Sequence, residues 1–145
     1  MLGELTSEEI EQLLRRETVG RIGCHAEGRT YVVPITYAYD GEHVYGHSSD
    51  GLKIRTMRAN PSVCFEVDQL DTIAHWQSVV AWGTYEELAN GAEERASAML
   101  RSRFASMTTS ETALFHPTRD VTAARHVRTI VFRIRLEEKT GRYER

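Results

Sequence analysis

The sequence predicts a mainly β domain, an antiparallel barrel of about six strands with short peripheral helices. Two observations carry that expectation. Extended runs rich in β-branched and aromatic residues recur along the chain, and Gly-containing turns join several of them at hairpin spacing. Closing such a sheet on itself removes exposed edges, which favours a barrel over an open sheet. The 145 residues suffice for a single domain, spanning 1–145, that buries a core without disulfide or metal staples.

The first element is helical. Thr6-Ser7-Glu8-Glu9 has capping-box spacing, and Ile10, Leu13 and Leu14 recur at helical intervals up to about Arg16. Residues 19–24 read as a short strand, with turn chemistry after them at Glu27-Gly28-Arg29. Residues 31–39 are the longest β signal; Pro34 inside them cannot donate to a ladder and implies an edge, a bulge or an interruption. Asp40-Gly41 marks a hairpin into His43-Val44-Tyr45. Leu52, Ile54, Met57 and Arg58 predict a short helix, closed before Asn60-Pro61 because a residue preceding proline avoids helical angles. Strands follow over 62–67 and 76–88, and Asn90-Gly91 introduces a helix over 92–104. Residues 105–124 are polar, broken by Pro117 and read as a loop or lid carrying His116. The last strand covers 129–136, where Ile130, Phe132, Ile134 and Leu136 alternate with more polar positions.

Composition narrows the function classes. A net charge of -3 argues against a general electrostatic grip on nucleic acid, and no apolar run approaches the length of a membrane span. Glu4, Thr6, Ser7, Glu8 and Glu9 stand where a signal sequence would be basic and then apolar, so a cytoplasmic protein is expected. Cys24 and Cys64 lie singly in apolar stretches, which suits small core residues in a reducing compartment better than a metal site.

The stretch from Val44 to Lys53 carries the chemistry. Ser48, Ser49, Asp50, Gly51 and Lys53 occupy the passage from a strand to a helix start, where backbone N–H groups and the helix dipole favour an anion. Serine hydroxyls add donors there, and Lys53 adds a full positive charge suited to a phosphate. An ordinary capped turn uses the same residue types.

The succession of motifs resembles a known family. Residues 31–41, then Val44-Tyr45-Gly46-His47-Ser48, Gly51-Leu52-Lys53, Asn60-Pro61-Ser62-Val63-Cys64-Phe65 and Ser78-Val79-Val80-Ala81-Trp82-Gly83, are similar to the pyridoxamine 5′-phosphate oxidase-like flavin-binding split barrels. The nitroimidazole-resistance-like branch is the nearest. The resemblance implies an antiparallel six-stranded split β-barrel and a homodimer that binds FMN in clefts at the subunit interface. It implies that Val33, Pro34 and Ile35 present backbone to the isoalloxazine, and that His47 and Ser48 lie along the ring and ribityl chain. Lys53 would hold the phosphate, with Ser49 as a further donor and Arg58 as a second cation. Trp76, Gln77 and Ser78 occupy the place where the family contacts the ring edge. Val33 and Ile35 would also supply apolar walls, and on the same resemblance His47 would stand close to the reactive ring face.

One departure bears on activity. The ending Lys139-Thr140-Gly141-Arg142-Tyr143-Glu144-Arg145 lacks the C-terminal arginine-histidine arrangement with which pyridoxamine-phosphate oxidases grip their substrate, so vitamin B6 oxidation is not expected. The expected function is an FMN-dependent oxidoreductase acting on a small acceptor such as a nitroaromatic or a quinone. A non-catalytic flavin-binding or sensing module and a deazaflavin-dependent reductase are the alternatives. Trp82, and the basic residues Arg125, His126, Arg128, Arg133 and Arg135, are read as structural or solvent-facing.

Overall fold

The computed structural model describes residues 1–105 and 129–145. Eight antiparallel strands of the described residues form one sheet: β1 (Leu2–Glu4), β2 (Val19–Ala26), β3 (Arg29–Thr36), β4 (Ala38–Tyr39), β5 (His43–Ser49), β6 (Ser62–Thr72), β7 (His75–Glu87) and β8 (Thr129–Glu144). Among the described residues three helices are interleaved, α1 (Ser7–Arg16), α2 (Leu52–Ala59) and α3 (Asn90–Phe104). The strand order is β3-β2-β6-β7-β8-β5-β4, with β1 added beside β8. Its two ends, β3 and β4, are consecutive in the chain and separated only by Tyr37. A sheet whose outermost strands are joined by one residue must curl until those edges meet, and that makes the barrel. Tyr37 holds the corner: its N–H donates to the Thr18 carbonyl at 3.1 Å and its hydroxyl to the Leu14 carbonyl at 2.6 Å. β3 and β4 remain unpaired with each other, which is the split.

The strand count exceeds the expected six for two reasons. The run over 31–39 breaks at Tyr37 into β3 and β4, and β1 adds a short strand at the start. The last strand also continues to Glu144, well past Leu136, because residues 138–144 pair with β7 and residues 142–144 also with Leu2–Glu4. Pro34 lies on β3, an edge strand opposite Arg21, where its missing donor costs no central ladder bond. The segment 106–128, with His116, Pro117, Arg125, His126 and Arg128, falls outside the described residues.

The main core fills the barrel with Ile22, Phe65, Val67, Val79, Phe132 and Ile134, and Leu13 and Leu14 of α1 and Ile54 and Met57 of α2 join it. Tyr37 meets Phe65 edge to face at 4.9 Å. A smaller cluster packs Ala96, Leu100 and Phe104 of α3 against Ala38, Tyr45 and Val131 on the opposite face of β4, β5 and β8. Among the described residues no helix is long and apolar enough to cross a membrane.

Candidate functional site

Strand β5 delivers its last residues beside the start of β8, Ser48 opposite Ile130 and Ser49 opposite Thr129. The chain then turns through Asp50 and Gly51, with the Gly51 N–H donating to the Ser49 carbonyl at 2.8 Å. Gly51 is the N-cap of α2 and has no side chain to bond the first free N–H groups, and no acidic residue stands in the helix's first turn. Those donors are orphaned within the helix. Lys53 sits among them.

Lys53 Nζ donates to Ser48 Oγ at 2.6 Å, and Ser48 Oγ donates onward to the Ser49 carbonyl at 2.8 Å. Ser48 is buried and Lys53 half-buried. Burial pushes the Lys53 ammonium below its ordinary pKa. Among the described residues no carboxylate lies within salt-bridge range of it. A partly desolvated cation whose polar partner is a neutral hydroxyl, at the open start of a helix, fits an anionic group such as a phosphate.

The remaining expected residues divide. Pro34 is exposed at the barrel edge, while Val33 packs on the core and Ile35 is buried within it, so alternation turns both Val33 and Ile35 away from Pro34's face. Ile35 nonetheless reaches β5: a Cβ placed on Gly46 would stand 3.4 Å from Ile35 Cδ1. The core side of β3 and the strand leading into Ser48 are therefore neighbours across the split. His47, opposite Val131, points to the other face of β5 from Ser48. Ser49 is exposed on the turn.

Arg58 is engaged by carboxylates. It bonds Glu87 through Nε and, at 3.3 Å, through Nη2, and its Nη1 donates to Asp50 Oδ1 at 3.3 Å. The Glu87 pairing and the Asp50 charge raise its pKa above the ordinary arginine value. Asp50 belongs to the turn that the sequence singles out, whereas Glu87 has no such signal. Glu87 lies 29 positions from Arg58, and no local pattern joins them.

Trp76, Gln77 and Ser78 lie elsewhere in the barrel. They pair with Glu144, Tyr143 and Arg142 at one end of the 16-residue β8, whereas Ser48 pairs with Ile130 near the other. An extended strand of that length spans on the order of 50 Å, less when coiled. Gln77 Nε2 donates to Gln69 Oε1 at 2.8 Å, and with Trp76, Asp71, His75 and Tyr143 these residues line a shallow pocket of about 170 Å³. A single copy of the chain does not bring this set to Lys53.

The sequence profile of the pyridoxamine 5′-phosphate oxidase family matches residues 6–143. The chain belongs to that family. It is 36% identical over 84 residues to protein RA0666 of Rhizobium meliloti (strain 1021), a match covering 58% of this chain and 56% of that protein. A FAD-binding protein from Mesorhizobium loti is 33% identical, with a TM-score of 0.80 over 100% of this chain and 99% of its own. A candidate 5-nitroimidazole antibiotic resistance protein from Bacteroides thetaiotaomicron VPI-5482 superposes with a TM-score of 0.73 over 99% of this chain and 87% of its own, at 17% identity. That last likeness is one of fold, and the antiparallel split barrel expected from the family is the architecture observed.

Proposed function

We propose that this protein is a flavin-dependent oxidoreductase that binds FMN as a homodimer and passes electrons to a small acceptor such as a nitroaromatic or a quinone. The observation that carries the reading is Lys53, half-buried and bonded to Ser48 at the uncapped start of α2. Lys53, Ser48 and the first N–H groups of α2 would hold the phosphate, with Ser49 at the rim. The edge strand around Pro34 would offer backbone groups to the ring. A bound flavin supplies the redox chemistry, so the chain's task is to hold and orient it and needs no protein nucleophile.

Two features support a dimer. Val32, Cys64 and Trp82 form a transverse row across β3, β6 and β7 through Gly23 of β2. Val32 is 63% and Trp82 44% exposed, an apolar outer face suited to a second copy. In addition, Trp76–Ser78 and Lys53 can meet at one ligand only if a second copy supplies one of the two sets. The family and the FAD-binding relative support a flavin, and the same phosphate locus could take the shared FMN portion of FAD. Free Cys24 and Cys64 are consistent with the cytoplasmic assignment we also propose.

The test is direct. Purify the protein, record its visible spectrum, identify any released cofactor by mass, and determine its oligomeric state by light scattering. A colourless protein that takes up neither FMN nor FAD removes the reading, and a deazaflavin in the released fraction replaces it. A flavoprotein that NADH or NADPH cannot reduce, or that fails to turn over nitroaromatic and quinone acceptors, is a binding module instead of an enzyme.

A further inference from the structure

Arg58 and Lys53 share the short helix α2, yet their surroundings differ in kind. Lys53 faces a neutral hydroxyl, whereas all three nitrogens of the Arg58 guanidinium are taken by carboxylates: Nε and Nη2 by Glu87, and Nη1 by both oxygens of Asp50, at 3.3 and 3.4 Å. Glu87 is itself anchored. The Tyr85 hydroxyl donates to Glu87 Oε1 at 2.9 Å, the Tyr85 ring packs 5.5 Å from Phe132, and the Leu88 N–H donates to the Val131 carbonyl at 2.9 Å. Glu87 is paired with Phe132 on β8, the strand on which Ile130 faces Ser48. Asp50 lies in the turn between Ser49 and the α2 N-cap. One guanidinium thus ties the rigid end of β7 to the turn that sets the direction of the free N–H groups.

We propose that Arg58 is a positioning residue of the phosphate site, a brace from Glu87 to Asp50 that fixes the Ser49–Gly51 turn, and that Lys53 alone on α2 contacts the phosphate with its charge. The inference rests on the flavin reading above. A guanidinium bonded to two carboxylates has its charge already neutralised, and releasing it to an incoming phosphate would leave Glu87 and Asp50 uncompensated beside that phosphate. The side chains are 40% (Arg58), 43% (Asp50) and 32% (Glu87) exposed, so each ion pair is individually weak and the brace acts by restricting the turn.

The experiment is a fluorescence titration of the full-length protein with FMN and, in parallel, FAD, at several salt concentrations. The proteins compared are the unaltered chain, Arg58→Gln, Glu87→Gln, the double variant, Arg58→Lys and Lys53→Ala. The brace predicts that Arg58→Gln and Glu87→Gln each weaken binding about threefold, the scale of an exposed ion pair. It predicts that the double variant is no weaker than either single one, and that Arg58→Lys does not restore affinity because an ammonium cannot bridge both carboxylates. It also predicts that the salt dependence of Kd in the double variant, whose net charge is that of the unaltered chain, stays unchanged, and that it is flattened in Lys53→Ala. A direct phosphate ligand behaves in the opposite way: the double variant, having lost a cation from the phosphate, flattens the salt dependence, and Glu87→Gln tightens binding by freeing the guanidinium. Either result, or an Arg58→Gln protein indistinguishable from the unaltered chain, overturns the brace while leaving the flavin reading standing. An unchanged Kd in Lys53→Ala sinks the phosphate site and the brace with it.

Discussion

Helices α1 and α2 begin in opposite ways. At α1 the Thr6 hydroxyl accepts the Glu9 N–H at 3.2 Å and the Glu9 carboxylate accepts the Thr6 N–H at 3.0 Å, with Glu8 and Glu9 placing negative charge on the dipole's positive end. Its far end is closed as well: Arg103 Nη2 donates to the carbonyls of Arg15 and Arg16 at 3.0 Å and of Glu17 at 3.3 Å. At α2 a glycine caps nothing, the first turn has no acid, and a lysine adds positive charge where the dipole is already positive. α3 also starts without a side-chain cap, but Glu93 sits in its first turn. A helix start that satisfies itself is architecture. One that leaves its donors open and adds a half-buried cation lowers the stability of the fold, and an anionic ligand is what would offset that cost.

The contrast can be broken by mutation. The largest effect is expected from Lys53→Ala, which should weaken FMN binding by roughly 1.5–3 kcal/mol, the scale of a charged hydrogen bond. Riboflavin, which lacks the phosphate, should bind the variant and the unaltered protein alike. Equal losses for both ligands in a fluorescence titration would place Lys53 away from the phosphate. Next comes Gly51→Asp, which gives α2 the cap that α1 has. The position has an extended φ of -118° and no atom nearer than 4.0 Å to an added Cβ, so the side chain fits. Because glycine is already a fair N-cap, stability should rise by only a few tenths of a kcal/mol. FMN affinity should drop about tenfold as a carboxylate takes the orphaned N–H groups and repels the phosphate. A Gly51→Asp protein that binds FMN as tightly as before would show that the α2 start is not the anion site.

Features with local determinants are legible in the sequence. The Thr6/Glu9 box, the Asp40-Gly41 hairpin, the stop at Asn60-Pro61 and the Ser48-to-Lys53 turn each depend on residues a few positions apart, and each forms as expected. Pro34 implies an edge, a bulge or an interruption in any sheet, and β3 is an edge strand. What stayed hidden was set by topology. Along 31–36 both alternating faces carry apolar residues, so nothing in the pattern said that Ile35 enters the core while Val32 faces out. Residues 138–144 are mostly polar, yet backbone pairing with β7 and β1 keeps them in strand. The Glu87 carboxylate on Arg58, and the placement of Trp76–Ser78 at the far end of β8, depend on strand order, which local spacing does not encode.

The smaller effects sharpen the comparison from the side of α1. Thr6→Ala should cost about 1 kcal/mol, or about 3 °C in Tm, and leave FMN affinity unchanged, as thermal melts and titration would show. A parallel loss of affinity would mean that α1 reaches the ligand and that the two helix starts are not separate in function.

The pH response should split the two helices most finely. Hydrogen bonding from Thr6 and Arg145 holds the Glu9 carboxyl below its ordinary value, so the stability it contributes is present above the unfolded pKa and is lost as acid takes the pH down through the folded one. Lys53 works in the alkaline window and with the opposite sense. Its folded pKa is lowered by burial, so the folded chain binds fewer protons there than the unfolded chain, and this residue's contribution to stability rises as pH climbs from the lowered pKa toward the ordinary 10.5. Phosphate binding favours the protonated amine, so FMN affinity should fall across the same interval while that contribution grows. Measuring both above pH 8, where the phosphate is already a dianion, isolates Lys53 from the ligand's own second ionisation near 6. A Lys53→Met protein should lose the alkaline fall in affinity and melt higher at neutral pH, because a half-buried charge has been removed. If its affinity still declines with the unaltered protein's profile, another group titrates at the site and the open start of α2 is not governed by Lys53.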